Sequence, residues 1–166
     1  MTCKIYIDMD GVLADFDKAV SLIEEIQPLT HFELRSEEED DRMWARLSEI
    51  PHFYLTLDPM PGSIEMFNTI REKYGEHVEI LTGIPKPKHG IITAAEDKIE
   101  WARRYLGDVK VNIVFTGEKL KYCKGPGCVL IDDFHFNIDP WIRKGGTGII
   151  HKSPEETLKA LNSIGF

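Results

Sequence analysis

The chain has 166 residues and a net charge of −8, with Asp and Glu outnumbering Lys and Arg 28 to 20. That length suits one domain with a sizeable core, and the acidic balance argues against a general nucleic-acid binder, which needs Lys and Arg against phosphates. No apolar run approaches the length of a membrane span, no secretory leader is expected ahead of the first strand, and composition is that of an ordinary soluble protein.

Lys4 to Ile7 is a short β-branched and aromatic run, which reads as a buried strand. It leads directly into Asp8, Met9, Asp10 and Gly11. Side chains two apart on an extended chain point the same way, so Asp8 and Asp10 are expected on one face beyond the strand's carboxyl end. In open α/β sheets that is where ligands bind. Two carboxylates so placed repel unless a cation or a shared proton intervenes. By itself an Asp-x-Asp-Gly stretch is more often a turn than a site. A calcium loop does not fit: counted from Asp8, Gly11 is fourth rather than sixth, and the twelfth position is Ala19 rather than Glu.

Ala19, Val20, Ile23 and Ile26 then fall at helical spacing, and Pro28 stops that helix. Ser36 with Glu39 makes a capping box for a second helix, whose apolar stripe is Met43, Trp44, Leu47 and Ile50. The acidic run Glu37 to Asp41 suits its first turn. His52 to Pro61 is an irregular return, so residues 18–58 are expected to form a small helical cap inserted into a core of residues 1–17 and 59–166.

Helices and strands alternate from there. A helix spans Ser63 to Tyr74, and a strand runs from Val78 to Leu81 and ends in Thr82-Gly83. Thr93 with Glu96 caps a helix striped by Ile92, Ala95, Ile99, Ala102 and Leu106. Strands follow at Val111 to Phe115, Cys128 to Ile131 and Thr147 to His151, and a last helix is capped by Ser153. This alternation predicts an α/β fold, a parallel sheet with helices on both faces. The three cysteines, Cys3, Cys123 and Cys128, point to a reduced, cytoplasmic protein. Cys123 and Cys128 lack a second ligand pair nearby, so free thiols are expected rather than a zinc site.

Parallel strands would bring Asp8, Asp10, Thr82, Lys119, Asp132 and Asp133 to one edge of the sheet. Each alone reads as a turn or solvated residue; all in this order are harder to explain so. The stretch DMDGVLADFD and the order Asp-x-Asp, Thr, Lys, Asp-Asp resemble the four signatures of the haloacid dehalogenase-like (HAD) phosphotransferases over the whole chain. Within that superfamily, IYIDMDGVLADF, FYLTLDPMPG, LTGIP, KIEWARRYLG and VLIDD are most similar to the 5′(3′)-deoxyribonucleotidases.

The resemblance implies a HAD-like Rossmannoid core and a Mg²⁺-dependent phosphatase of (deoxy)nucleoside monophosphates working through an aspartyl-phosphate. Asp8 would be the nucleophile and Asp10 the acid/base. Asp8, the backbone carbonyl of Asp10 and Asp133 would hold Mg²⁺. Thr82, Gly83 and Lys119 would hold the phosphate, and Asp132 would orient Lys119 or the metal shell rather than bind metal directly. Phe16 matches the position that packs on the nucleobase; Trp44, Phe53 and Tyr54 would complete an aromatic lid, with core packing of a two-helix cap the alternative for Trp44; and Lys98 matches a family Lys-x-x-Trp and would reach the phosphate edge. Gly83 stands where these nucleotidases carry Ser, which removes one hydroxyl. The expected partner is a small phosphate monoester, with a homodimer left open. The alternatives are a HAD phosphatase for another ester, such as a sugar phosphate, and a catalytically silent binding module. Asp10 argues against a dehalogenase, whose chemistry needs no acid two residues after the nucleophile.

Overall fold

A computed structural model describes residues 4–23 and 36–165. In chain order the elements are β1 (Lys4–Ile7), α1 (Phe16–Ser21), α2 (Glu37–Ser48), α3 (Ser63–Tyr74), β2 (Val78–Ile84), α4 (Ala94–Leu106), β3 (Val111–Phe115), β4 (Cys128–Asp132), α5 (His135–Arg143), β5 (Thr147–Ile150) and α6 (Pro154–Ser163). The five strands form one parallel sheet in the order β3-β2-β1-β4-β5. The reversal of strand order at β1 is a topological switch point, with a crevice outside the strands' carboxyl ends.

Alternation along the strands feeds two apolar layers. Ile5, Ile7, Val78, Ile80, Val129 and Ile131 join Met66, Phe67, Ile70, Trp101 and Leu161 from α3, α4 and α6. On the opposite face Tyr6, Leu81, Val114 and Leu130 meet Ile138 and Trp141 of α5. Val20, Met43, Leu47, Phe53, Tyr54 and Leu57 of the inserted stretch belong to the first of these layers, so the insertion shares a continuous core with the sheet.

The Ser36–Glu39 capping box forms as expected. Ile26, Pro28 and Cys3 lie outside the described residues. Cys123 and Cys128 are buried free thiols.

Four expectations need correction. β2 does not end at Leu81 but runs through Thr82 and Gly83 to Ile84, because β3 pairs with it to that point. No element is expected between Asp133 and Thr147, yet α5 forms there despite Pro140 inside it. Buried Trp141, whose Nε1 donates to the Cys128 carbonyl at 3.1 Å, holds that helix on the sheet and overrides the breaker. Thr93 makes no capping bond; its Oγ1 donates instead to Asp97 Oδ2 at 2.8 Å. The expected stripe of α4 holds only in part: Ala102 is buried and Leu106 packs on the core, but Ile92 is 92% exposed and Ile99 49%, while Ala94, Asp97, Lys98 and Trp101 are buried instead. Two buried charged residues sit on that face because each finds partners there.

Glu79 of β2 is buried between Lys4 Nζ at 2.6 Å, Asn112 Nδ2 at 2.9 Å and Lys110 Nζ at 3.3 Å. Burial pushes its carboxyl up, but the hydrogen bonds from Lys4, Asn112 and Lys110 outweigh burial and hold it below the usual glutamate range. A depressed folded-state pKa contributes stability above the unfolded value, lost as acid protonates the group. Glu79→Gln is expected to cost about 1–3 kcal/mol near neutral pH. In urea unfolding at a series of pH values, its gap from wild type should close as the pH falls below about 4.

Candidate active site

The crevice at the switch point gathers the strand ends. Asp8 N donates to the Ile131 carbonyl at 2.9 Å, which ties the end of β1 to β4. The next turn closes when the Met9 carbonyl accepts from the amides of Val12, Leu13 and Ala14 at 2.8–3.1 Å. Met9 points into the core, so Asp8 and Asp10 on either side turn the other way. Gly11 takes φ +78°, and a Cβ there would come within 2.1 Å of Asp133 Oδ2. Only glycine allows both the turn and that approach.

Lys119 opens a short 3₁₀ segment beyond β3 and is buried. Its Nζ lies 2.7 Å from Asp8 Oδ1 and 2.6 Å from Asp132 Oδ2. Asp132 also accepts from Asn137 Nδ2 at 3.0 Å and from the Phe134 amide at 2.9 Å, so its lone pairs are largely occupied. Asp132 thus meets Lys119 directly. Carboxylate oxygens of Asp8, Asp132 and Asp133 lie within 4.8 Å of one another.

Three carboxylates around one ammonium leave negative charge in a dry place. Burial pushes Asp8 up to about 7, with Lys119 opposing and Asp132 and Asp10 adding to the rise. Burial, then Asp8 and Asp132, push Asp133 up to about 8. For Lys119, burial works against the charge, but Asp132 and Asp8 outweigh it and raise its pKa. Oxygen donors crowded at this cost fit a hard divalent cation, which would favour their charged forms.

Asp10 is held from behind. Its Oδ2 accepts from Lys98 Nζ at 2.6 Å, and its Oδ1 is buried with no hydrogen-bond partner among the described residues. Lys98 also donates to Thr82 Oγ1 at 2.9 Å and to the Gly83 carbonyl at 2.8 Å. Thr82 and Lys98 are both fully buried and neither borders the cleft, so the expected contacts of Lys98 and Thr82 with a phosphate are not what the geometry gives. The ammonium has three N–H groups, and these three acceptors use all of them.

Asp8, Asp10, Gly83, Lys119 and Asp133 border a cleft of about 1060 Å³. Phe16 and Trp44 stand on its wall, their rings 6.3 Å apart. Phe16 also stacks on Tyr54 at 6.3 Å, and Trp44 tilts over His89 at 5.2 Å. Phe134, Phe136 and Asn137 border the cleft from the start of α5. Sequence reasoning missed them with that helix; the available signal was an aromatic immediately after Asp132-Asp133.

Gly11→Ala is expected to displace the Asp133 carboxylate and weaken Mn²⁺ or Mg²⁺ binding by roughly 10–100-fold in a calorimetric titration. The positive φ adds about 1–2 kcal/mol of strain, readable as a lower thermal midpoint.

A family model described as "5′ nucleotidase, deoxy (pyrimidine), cytosolic type C protein" matches residues 2–158. The human cytosolic-type 5′(3′)-deoxyribonucleotidase is 28% identical over 147 residues, covering 78% of this chain and 70% of that protein. A protein of Vibrio phage KVP40, provisionally named a 5′(3′)-deoxyribonucleotidase, is 29% identical over 103 residues, or 62% of this chain. That match spans about half the length of the phage relative. In fold, the chain is similar to a phosphonoacetaldehyde hydrolase-like protein from Oleispira antarctica, with TM-score 0.51 and 14% identity over 89% of this chain and 73% of that one. With the model spanning nearly the whole chain and its acidic strand ends gathered at one edge, this protein belongs to the deoxy (pyrimidine) cytosolic type C 5′-nucleotidase family.

Proposed function

We propose that the chain hydrolyses phosphate monoesters of (deoxy)nucleosides through an aspartyl-phosphate, with Mg²⁺ as its cofactor. The observation that carries this reading is Lys119: two of its three N–H groups hold Asp8 and Asp132, leaving one to meet an anion beside the nucleophile. Asp8, the backbone carbonyl of Asp10 and Asp133 would hold the Mg²⁺. When bound, that ion supplies charge that offsets repulsion between a carboxylate and a phosphate dianion.

The chain's own groups then divide the work. An Asp8 oxygen attacks phosphorus while the ester P–O bond breaks, and Asp10 gives its proton to the departing oxygen. Water next attacks the same phosphorus, passes a proton to Asp10, and the bond to Asp8 breaks to release phosphate. Lys119 and the Gly83 amide would receive the charge of the transferring group. Residues 18–58 would serve as the cap over the core formed by 1–17 and 59–166, with Phe16, Tyr54 and Trp44 covering the nucleobase and excluding water. The large aromatic share of the cleft wall supports a planar leaving group over a sugar phosphate.

Asp8→Asn is expected to abolish Mg²⁺-dependent phosphate release from p-nitrophenyl phosphate, and chelation of the metal should do the same to wild type. A panel of monophosphates separates the substrates: deoxynucleoside monophosphates should be turned over faster than sugar phosphates. Equal or better turnover of sugar phosphates would remove the nucleotide assignment while leaving the phosphatase intact.

A further inference from the structure

The geometry points to Lys98 as a positioning residue for Asp10, holding the acid in place from beneath the cleft rather than binding substrate. This deepens the phosphatase reading above and rests on it.

Lys98 is 0% exposed, and its ammonium is saturated by Asp10 Oδ2, Thr82 Oγ1 and the Gly83 carbonyl at 2.6, 2.9 and 2.8 Å. An incoming phosphate would therefore have to break one of these bonds to reach it. The Tyr54 ring covers the ammonium at 4.4 Å from the ring centroid, completing its enclosure. Asp10 supplies the one carboxyl group among these partners and makes the shortest contact.

The root of Lys98 is fixed as firmly as its tip. One residue earlier on α4, buried Asp97 accepts from Thr93 Oγ1 at 2.8 Å and lies 2.8 Å from His52 Nδ1. His52 has φ +52°, a left-handed conformation uncommon outside glycine, at the start of the return from the inserted stretch. Adjacent positions on one helix thus tie to the return segment and to the acid. The carboxyl of Asp10 is fixed relative to the ends of β1 and β2, and Tyr54 of the same return segment packs on the cation that fixes it. The consequence is kinetic. Proton delivery to a departing oxygen requires the acid within hydrogen-bond reach. Loss of Lys98 should fall on esters whose leaving oxygen needs that proton.

The test compares Lys98→Met, Asp10→Asn and the double variant on two Mg²⁺-dependent substrates by kcat/KM, which reports the steps up to ester cleavage and not the later hydrolysis. With a deoxynucleoside 5′-monophosphate, whose alkoxide needs protonation, Lys98→Met should lose roughly 10²–10³-fold. With p-nitrophenyl phosphate, whose phenolate departs more readily, the loss should be smaller by about tenfold or more. Adding Lys98→Met to Asp10→Asn should cost no more than about threefold further, because the two act as one unit. Equal losses on both esters with a raised KM, or weaker inhibition by inorganic phosphate, would overturn the inference and make Lys98 a phosphate ligand. If Lys98→Met fails to fold, Lys98→Gln serves in the same comparison. Should wild type release phosphate from no ester, the phosphatase reading itself fails. The Lys98–Asp10 pair is then judged by a double-mutant cycle on urea unfolding, where independent effects of the two substitutions would overturn it.

Discussion

The ammonium of Lys119, wedged between Asp8 and Asp132, makes the rest of the site physically tolerable. Two carboxylates buried a few ångströms apart would repel strongly in a medium of low dielectric. A lysine held within 2.7 Å of both turns the repulsion into two charge-assisted hydrogen bonds. Breaking a buried pair of this kind by removing one partner costs about 3–5 kcal/mol, because the other charge is stranded. Asp133, beside this group, is left in negative surroundings that a divalent cation would relieve.

A second lysine repeats the device behind the first. Lys98 faces Asp10, so two carboxylates only two residues apart have different lysine partners. Asp8, nine-tenths buried or more, is held against Lys119, whereas Asp10 is partly exposed at the cleft and held against Lys98. In the proposed mechanism, different surroundings for neighbouring carboxyl groups would allow one to attack and the other to move protons.

The aromatic wall comes from distant parts of the chain. Phe16 opens α1, Trp44 lies on α2, Tyr54 sits in the return segment and Phe134 stands before α5. Trp44 is steadied by its Nε1 bond to Asp40 Oδ2 at 3.0 Å, and the Asp132 carboxylate fixes the Phe134 amide. The same Asp132 therefore orients the central lysine and the edge of the cleft.

Local sequence determined the strands, most helix boundaries and the order of the acidic and basic groups along the sheet edge. β-Branched runs, a capping box and Gly or Pro stops act within a few residues, and parallel pairing follows from their alternation. It misled where a polar residue was buried with partners from elsewhere. Ile92 and Ile99 suggested an apolar face for α4, whereas the face that packs carries Asp97 and Lys98. Those two are satisfied by His52, Asp10 and Thr82, which are 16 to 88 residues away in sequence. α5 was invisible for the mirror reason: Pro140 weakens it locally, and Trp141 holds it only through packing on β4. The sequence by itself determined which acidic and basic groups stand at the ends of the strands, because motif order is written along the chain. Only the tertiary structure decided which lysine meets which carboxylate, because that depends on long-range burial and on hydrogen-bond donors that are each spent once.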